Sequence, residues 1–464
     1  VEAGTGVGKS MAYLVPAVLM AKKNNIAIGV ATKTNALLDQ LVYHELPALA
    51  QSLGDVTYAP LKGFSHYPCL RKVNRFVKEG VKMVDVQGTE HSQAPSLGAL
   101  LSFIDQTDYD DMDSLKMDYR VVPRRAVTTT SHDCLRRKCP FYGTTCFVHG
   151  ARRFAETTDV VVTNHTLLFC DAAADNGLLP PVRHWIIDEA HGAEAEARRA
   201  FSLEIAAEDV TRLAQKVASG ESRNVYARAE RKLSSSLKND GATLFEGLIG
   251  KAKSAGDMFA TAAHEFAPHI KDLLYFDPNK RSRNYDRTEL WLNDDIRASE
   301  TFGSLRTLAK AMQVSAEKAI TCNQELVGYL ESIEGAAEPQ REIASVAMDL
   351  KDLVGAVEVI FGEKSDSYAY AAELCRKKDK QTDKLEALVV NVGEALEDKL
   401  YSQTKSVVFA SATLSIDGDF TSFENAMGLN AGEDTRARTC QLDSSYDFDK
   451  NMTVYVANDI PEPS

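Results

Sequence analysis

Long apolar stretches are missing from this chain: no run of 18 apolar residues occurs among its 464, so no membrane-spanning helix is expected. No secretory hydrophobic region opens the sequence, and no internal repeat or low-complexity tract interrupts it, so an export signal and a solenoid are not expected. Cysteine is sparse at eight residues, and Cys170, Cys322, Cys375 and Cys440 stand singly, as buried thiols do, so a disulfide framework is not expected. Excess positive charge is lacking too. A net charge of −13 argues against wholesale electrostatic coating of nucleic acid, yet residues 62–153 carry 15 Lys/Arg against 10 Asp/Glu, leaving room for a local basic channel. Hydrophobic content of 44% and charged content of 26% are those of a globular chain long enough for two to four domains.

The residues that organise the rest are the first ten, Val1-Glu2-Ala3-Gly4-Thr5-Gly6-Val7-Gly8-Lys9-Ser10. Gly4, Gly6 and Gly8 allow a tight turn with its N–H groups aimed at anionic oxygens, Lys9 can reach terminal phosphates, and Ser10 offers a hydroxyl to Mg²⁺. Met11, Leu14, Val15, Val18 and Leu19 follow at helical spacing, so the loop opens a helix whose N-terminal dipole favours phosphate. Ala3 departs from the usual pattern by holding the first glycine position, and a plain glycine-rich turn is the competing reading. Because a phosphate loop follows a strand, that strand is expected upstream of Val1, and the chain is read as part of a longer polypeptide.

Apolar runs ending in polar residues then recur. Residues 26–31 lead into Thr32, Lys33, Thr34 and Asn35, where a buried strand would deliver ligand-binding groups, although capping of a helix by Thr34 or Asn35 fits the spacing equally well. A second run is Val160-Val161-Val162-Thr163-Asn164-His165, and a third, Trp185-Ile186-Ile187, ends in Asp188-Glu189-Ala190-His191. Beside a phosphate loop, Asp188 suits the Mg²⁺ shell and Glu189 suits positioning or deprotonating an attacking water; taken alone, the pair could open a helix. Residues 61–153 break the alternation and hold Cys69, Cys134, Cys139 and Cys146, with Asp108, Asp110, Asp111 and Asp113 read as a solvated loop. Segments 254–276, 300–333 and 341–361 have helical periodicity. Residues 279–293 are polar and basic with Tyr285 and Trp291 interleaved, either an exposed loop or a surface that stacks on bases. Strands are expected again at 368–371, 385–390 and 406–410, the last leading into Ser411-Ala412-Thr413.

The ordered set Ala-Gly-Thr-Gly-Val-Gly-Lys-Ser, Thr-Lys-Thr, four spaced cysteines, Asp-Glu-Ala-His and Ser-Ala-Thr resembles the iron–sulfur helicases of superfamily 2, the XPD-like group, and within it the DinG type. Local matches are residues 61–69, the Val-Val-Val-Thr-Asn-His run and residues 442–463. The resemblance implies an α/β fold: a RecA-like P-loop NTPase domain with a parallel sheet (1–60, 156–200 and 366–416), interrupted by an iron–sulfur cluster domain (61–155) and a helical arch (201–365), with a truncated second RecA-like domain starting at 417–464. It implies ATP and Mg²⁺ on Gly4, Thr5, Gly6, Gly8, Lys9, Ser10, Asp188 and Glu189. It makes His191, Ser411, Ala412 and Thr413 coupling elements, and Thr32, Lys33, Thr34 and Asn35 contacts to the DNA backbone. Cys69, Cys134, Cys139 and Cys146 would hold a [4Fe-4S] cluster. By spacing, zinc is the competitor, but zinc sites commonly pair cysteines two to four residues apart, and the gaps here are wider.

The activity implied is an ATP-dependent DNA helicase of repair or replication, moving 5′→3′ on single-stranded DNA, with DNA junctions as partners, no membrane, a monomer, and cytoplasmic action at the nucleoid. The polarity comes from the resemblance alone. The basic residues Arg71, Lys72, Arg75, Arg136, Arg137 and Lys138 could line a single-strand channel or form a solvated face. Without the arginine of a second motor domain, a group worth about 10³ to 10⁵ in rate in GTPases, the chain by itself is expected to bind nucleotide weakly and unwind nothing. Two rivals stand beside this reading: a helicase-nuclease with an upstream exonuclease domain, and a non-catalytic module that holds single-stranded DNA.

Overall fold

A computed structural model describes residues 1–464 except 175–176, 178, 221–223, 234–239, 279–285, 378–381, 431–436, 443–447 and 457–464; of 240, 448 and 449 it describes the backbone alone. Tyr285 and most of the 442–463 match therefore lie outside the described residues. Two sheets organise the chain. Their strands are β1 (Ile28–Thr32), β2 (Tyr58–Pro60), β3 (Val160–Asn164), β4 (His184–Asp188), β5 (Leu203–Ala206), β6 (Arg287–Trp291), β7 (Tyr368–Cys375), β8 (Lys384–Val389) and β9 (Ser406–Ala410). The helices used below are α1 (Lys9–Asn24), α2 (Asn35–Gln40), α3 (His165–Ala173), α4 (Asp240–His269), α5 (Glu300–Leu330) and α6 (Ala337–Phe361). Among the described residues no helix is long and apolar enough to cross a membrane.

The chain divides into two units. The first, Val1–Leu61, Arg152–Ala200 and Asn391–Ser464, is built on a parallel sheet of order β9-β4-β1-β3-β2. Its strands are the apolar runs of the sequence, β1 buried throughout, as expected of a parallel sheet covered on both faces. In β1, Gly29 sits opposite Trp185 of β4, and a Cβ at position 29 would stand 2.3 Å from the indole, so glycine there makes room for the ring. Helix α1 buries Tyr13, Leu14, Ala17, Val18 and Ala21. Met11 and Leu19, counted on the apolar stripe by spacing, are exposed: the buried face is turned toward the small Ala17 and Ala21, which let the helix lie close to the sheet. The expectation that the strand feeding the loop lies wholly upstream of Val1 also changes. Val1, Ala3 and Ser411 exchange backbone hydrogen bonds, and Glu2–Ala3 pairs in parallel with Gln441–Leu442.

The second unit, Lys62–Ala151 and Phe201–Val390, contains an antiparallel sheet of order β5-β8-β7-β6 and the long helices α4, α5 and α6, packed around one apolar core that includes Phe259, Phe266, Phe302 and Phe361. Residues 366–390, expected to rejoin the parallel sheet, form β7 and β8 of this sheet instead. The reason is local. The two strands follow each other across a short connection, which favours antiparallel pairing, whereas a parallel pair needs a crossover of a dozen residues or more. The cysteine-bearing segment and the helices, expected as separate domains, share this unit.

The ion pairs that join them redefine Arg71, Lys72, Arg75 and Lys138, read from the sequence as either a single-strand channel or a solvated face. Arg71, buried, binds Glu338 at 2.9 Å and the Asp133 carbonyl at 3.1 Å. Arg75 and Arg228 both bind Glu342, Lys72 binds Asp133, and Lys138 reaches Gln340. Burial pushes Glu338 up, but hydrogen bonds from Lys232 and Arg71 bring it down to about 2. These cations are already committed to carboxylates and carbonyls on α6 and its neighbours. In the acidic patch Asp108 and Asp110 are exposed, as read from the sequence, but Asp111 and Asp113 are tied into ion pairs. Lys62, whose side chain is 1% exposed, binds Asp111 and Asp113, and Asp113 also takes His66 and Arg124, which hold its carboxyl well below the usual range against the effect of burial.

Candidate functional site

The phosphate-type loop gets its shape from two left-handed residues, Gly6 at φ 78° and Gly8 at φ 84°, a conformation that costs a residue with a Cβ about 1 kcal/mol or more. Gly8 caps α1, and Lys9 and Ser10 form its first turn. The Lys9 ammonium donates to the carbonyls of Ala3 (3.0 Å) and Gly4 (3.3 Å), so it lies over the loop at the end of the helix where an anion would be bound.

Asp188 closes β4 beside this turn. It is 7% exposed; its Oδ2 accepts from the Tyr13 hydroxyl at 3.2 Å, and its Oδ1 is buried with no partner. Burial and the charge of Glu189 raise its carboxyl above the ordinary range, opposed by the Glu189 N–H, the Tyr13 hydroxyl and Lys9. A buried acceptor left unpaired costs about 1 to 3 kcal/mol, and a divalent cation is the kind of group that would relieve it. Tyr13 is pushed up by burial and by Asp188, so it stays a donor.

Glu189 follows at φ 51°, a left-handed conformation that is strained for a residue with a side chain. The turn points its carboxylate back at His191: Nδ1 lies 3.2 Å from Glu189 Oε2 and 3.0 Å from Ser411 Oγ, while Nε2 lies 2.9 Å from the Lys33 ammonium. An ammonium can only donate, so Nε2 accepts and the ring proton sits on Nδ1, shared between the carboxylate and the hydroxyl. Thus residues from the ends of β1, β4 and β9, far apart in sequence, meet in one hydrogen-bonded set. Thr413 joins weakly through its N–H to Ser411 Oγ at 3.4 Å.

The other candidates divide. Thr32 is fully buried, its hydroxyl bonded to the carbonyls of Thr34 and Thr163, so its side chain is not presented to DNA as the resemblance implied. Thr34 caps α2 by accepting from the Leu37 N–H, and Asn35 accepts from Asn164 at 2.6 Å. Lys33 is exposed. Sequence reasoning missed two groups. His165, at the start of α3 and wholly buried, donates from Nε2 to the Asp188 carbonyl at 2.7 Å, and burial lowers its pKa to about 4. Glu2 accepts from the backbone N–H groups of Leu414 and Ser415 and from Gln441. Only their position next to motif residues could have flagged them.

In the second unit Cys69, Cys134, Cys139 and Cys146 line one small cavity with Arg71, Phe141 and His149. Burial raises the thiols of Cys134, Cys139 and Cys146, and the neighbouring sulfurs raise them further, Cys146 to about 11. Among the described residues no group of three or more His, Cys, Asp or Glu is closed around a point that would hold a metal ion. Four thiols facing one cavity are nonetheless a donor set suited to a soft metal centre, which would bind them as thiolates. His149 Nε2 stands 3.4 Å from the Cys134 sulfur.

No protein-family model matches the chain. It is 28% identical to the ATP-dependent helicase DinG of Mycobacterium tuberculosis, over 100% of the chain and 63% of that protein, and 27% identical to the ATP-dependent DNA helicase YoaA of Escherichia coli, again over 100% and 63%. The Bacillus subtilis protein named 3′-5′ exonuclease DinG is 28% identical over 99% of the chain and 48% of that protein. The chain thus spans about half to just under two thirds of the curated relatives it matches. A solved structure titled Truncated XPD covers 95% of the chain, and the chain 94% of it, at 11% identity and a TM-score of 0.38. Along its whole length the chain is similar to proteins named DinG and YoaA helicases.

Proposed function

We propose that this chain is the ATP-hydrolysing part of a DNA helicase. The observation that carries the reading is the convergence of Lys9 and Asp188 at the mouth of the Gly6–Gly8 loop, with the unpaired Asp188 Oδ1 beside them. In this reading Lys9 leaves the Ala3 and Gly4 carbonyls for the terminal phosphates of ATP, and Gly4, Thr5, Gly6 and Gly8 offer backbone N–H groups. Ser10 and Asp188 would hold Mg²⁺, which when bound neutralises phosphate charge. Glu189 orients and deprotonates the attacking water. His191 and Ser411, with Ala412 and Thr413 beyond, sense the change at Glu189 and pass it along the sheet end.

Cys69, Cys134, Cys139 and Cys146 would hold a [4Fe-4S] cluster, which when bound ties four points of the chain together. Their convergence on one cavity supports this assignment over four scattered thiols. Single-stranded DNA and junctions as substrates, 5′→3′ movement, a monomeric state and cytoplasmic action at the nucleoid belong to the same proposal. Residues 61–155 would serve as the cluster domain and 201–365 as the arch.

The test is ATPase activity of the full-length protein with and without single-stranded DNA. Activity that rises with DNA and is lost in both Lys9→Ala and Glu189→Gln supports the reading; activity that persists in both refutes it. A helicase-nuclease is the second reading, favoured by the name of the Bacillus subtilis relative. Nuclease activity that survives Lys9→Ala would establish it as a separate centre in the full-length protein.

A further inference from the structure

We propose that Lys33 is a positioning residue that holds His191, and through it Glu189, in a resting arrangement, and that a nucleic-acid phosphate releases this hold by capturing the Lys33 ammonium. The inference rests on the hydrolase reading above and adds a means of control to it.

Three observations carry it. The Lys33 ammonium lies 2.9 Å from His191 Nε2, a contact that puts the ring proton on Nδ1 and directs it at Glu189 Oε2 and Ser411 Oγ. Held by that contact, the Glu189 carboxylate is turned toward His191 rather than left free to receive a proton from water. Second, the Lys33 stem runs close over Gly192: a Cβ there would stand 3.0 Å from Lys33 Cε and 3.2 Å from Cδ. A side chain at position 192 would press the lysine stem aside by a few tenths of an ångström. Third, Lys33 is exposed and its partner is a neutral ring nitrogen. The ammonium–imidazole bond carries charge on the donor alone, whereas a phosphate brings an opposite charge to the ammonium, so a phosphate arriving at the end of β1 outcompetes the imidazole. His191 then loses the donor that fixed its tautomer, and the Nδ1 proton no longer has to face Glu189.

The experiment measures steady-state ATPase of the full-length protein with and without a single-stranded oligodeoxynucleotide, for wild type, Lys33→Met, Lys33→Arg and Gly192→Ala. Removing a hydrogen bond of ordinary net strength should raise the DNA-free kcat by about two- to tenfold in Lys33→Met. The KM for ATP should stay near the wild-type value, and the ratio of stimulated to basal rate should fall by the same factor. Lys33→Arg, which keeps a donor, should restore part of the ratio. Gly192→Ala, which displaces the stem but keeps the charge, should also raise the basal rate, and it decides the matter if Lys33→Met does not fold. An unchanged basal rate with weaker DNA binding would make Lys33 a simple phosphate contact, and a fall in basal and stimulated rates together would make it part of the chemistry; either overturns the proposal. Wild-type activity insensitive to Lys9→Ala would instead overturn the hydrolase reading itself.

Discussion

Replacing His165 with Gln should remove a pH-dependent loss of stability from the parallel-sheet unit. His165 is wholly buried, its Nε2–H bonded to the Asp188 carbonyl, its Nδ1 without a partner, and its pKa lowered by burial to about 4 from an ordinary 6.5. The sign follows from which state binds the proton. The folded ring stays neutral down to about 4, whereas the unfolded ring protonates below about 6.5, so acid favours unfolding. The stabilising effect of the neutral ring is complete above the unfolded pKa, declines as pH falls from 6.5 toward 4, and is lost below that. At pH 5 the unfolded ring is almost fully protonated and the folded ring about one tenth, a difference worth about 2 kcal/mol. The Gln amide nitrogen can take the place of Nε2 as donor to Asp188 but does not titrate. Urea unfolding should be followed by the fluorescence of Trp185, which lies in this unit, with Trp291, the only other tryptophan, changed to Phe in both proteins. Between pH 7.5 and pH 5 the wild type should lose about 2 kcal/mol more than His165→Gln. Equal losses would mean that His165 is protonated in the folded protein and that its Nδ1 has an acceptor.

The remaining expectations concern other links in the chain. Gly29→Ala puts a methyl group into the Trp185 ring and should destabilise the parallel sheet by about 1 to 3 kcal/mol, read as a lower urea midpoint; an unchanged midpoint would mean the indole moves aside freely. Glu342→Gln strips the carboxylate shared by Arg75 and Arg228 and should cost about 2 kcal/mol in the helical unit, detected through Trp291 fluorescence. Adding salt should mimic little of that loss, because the Glu342 side chain is only 13% exposed. Anaerobically purified protein should contain about four irons with matching acid-labile sulfide, both absent from Cys134→Ser. Stoichiometric zinc in a colourless protein would replace the cluster with a zinc site.

Much of this arrangement was legible because it is local. The strands announced themselves as apolar runs, and the loop needs glycine where φ is positive, at Gly6 and Gly8. What the sequence hid is contact across long separations. Nothing in the spacing of Lys33 and His191 says that one ammonium ends on the other's ring 158 residues later. Arg71 and Arg75 read as a channel or a solvated face because their carboxylate partners lie more than 260 residues downstream. Residues 366–390 misled for a different reason: short apolar strands look alike whether their partners run parallel or antiparallel, and only the connection distinguishes them.

The alanine at the first glycine position has an explanation in the same contacts. Ala3 is buried, its φ is not positive, and its N–H donates to the Ser411 carbonyl at 2.9 Å. It is the last residue of an extended segment, and the turn begins after it, so a glycine there would add only backbone freedom to be lost on folding, about 0.5 to 1 kcal/mol. Glu2, one residue earlier, fixes the other side of the same junction by accepting from Leu414 and Ser415. The loop that would receive phosphate is therefore anchored to the strand end that carries Ser411, and Ser411 is bonded to His191. Any displacement of the loop that strains the Ala3–Ser411 pairing reaches the ring facing Glu189 through two hydrogen bonds, without a helix or domain having to move first.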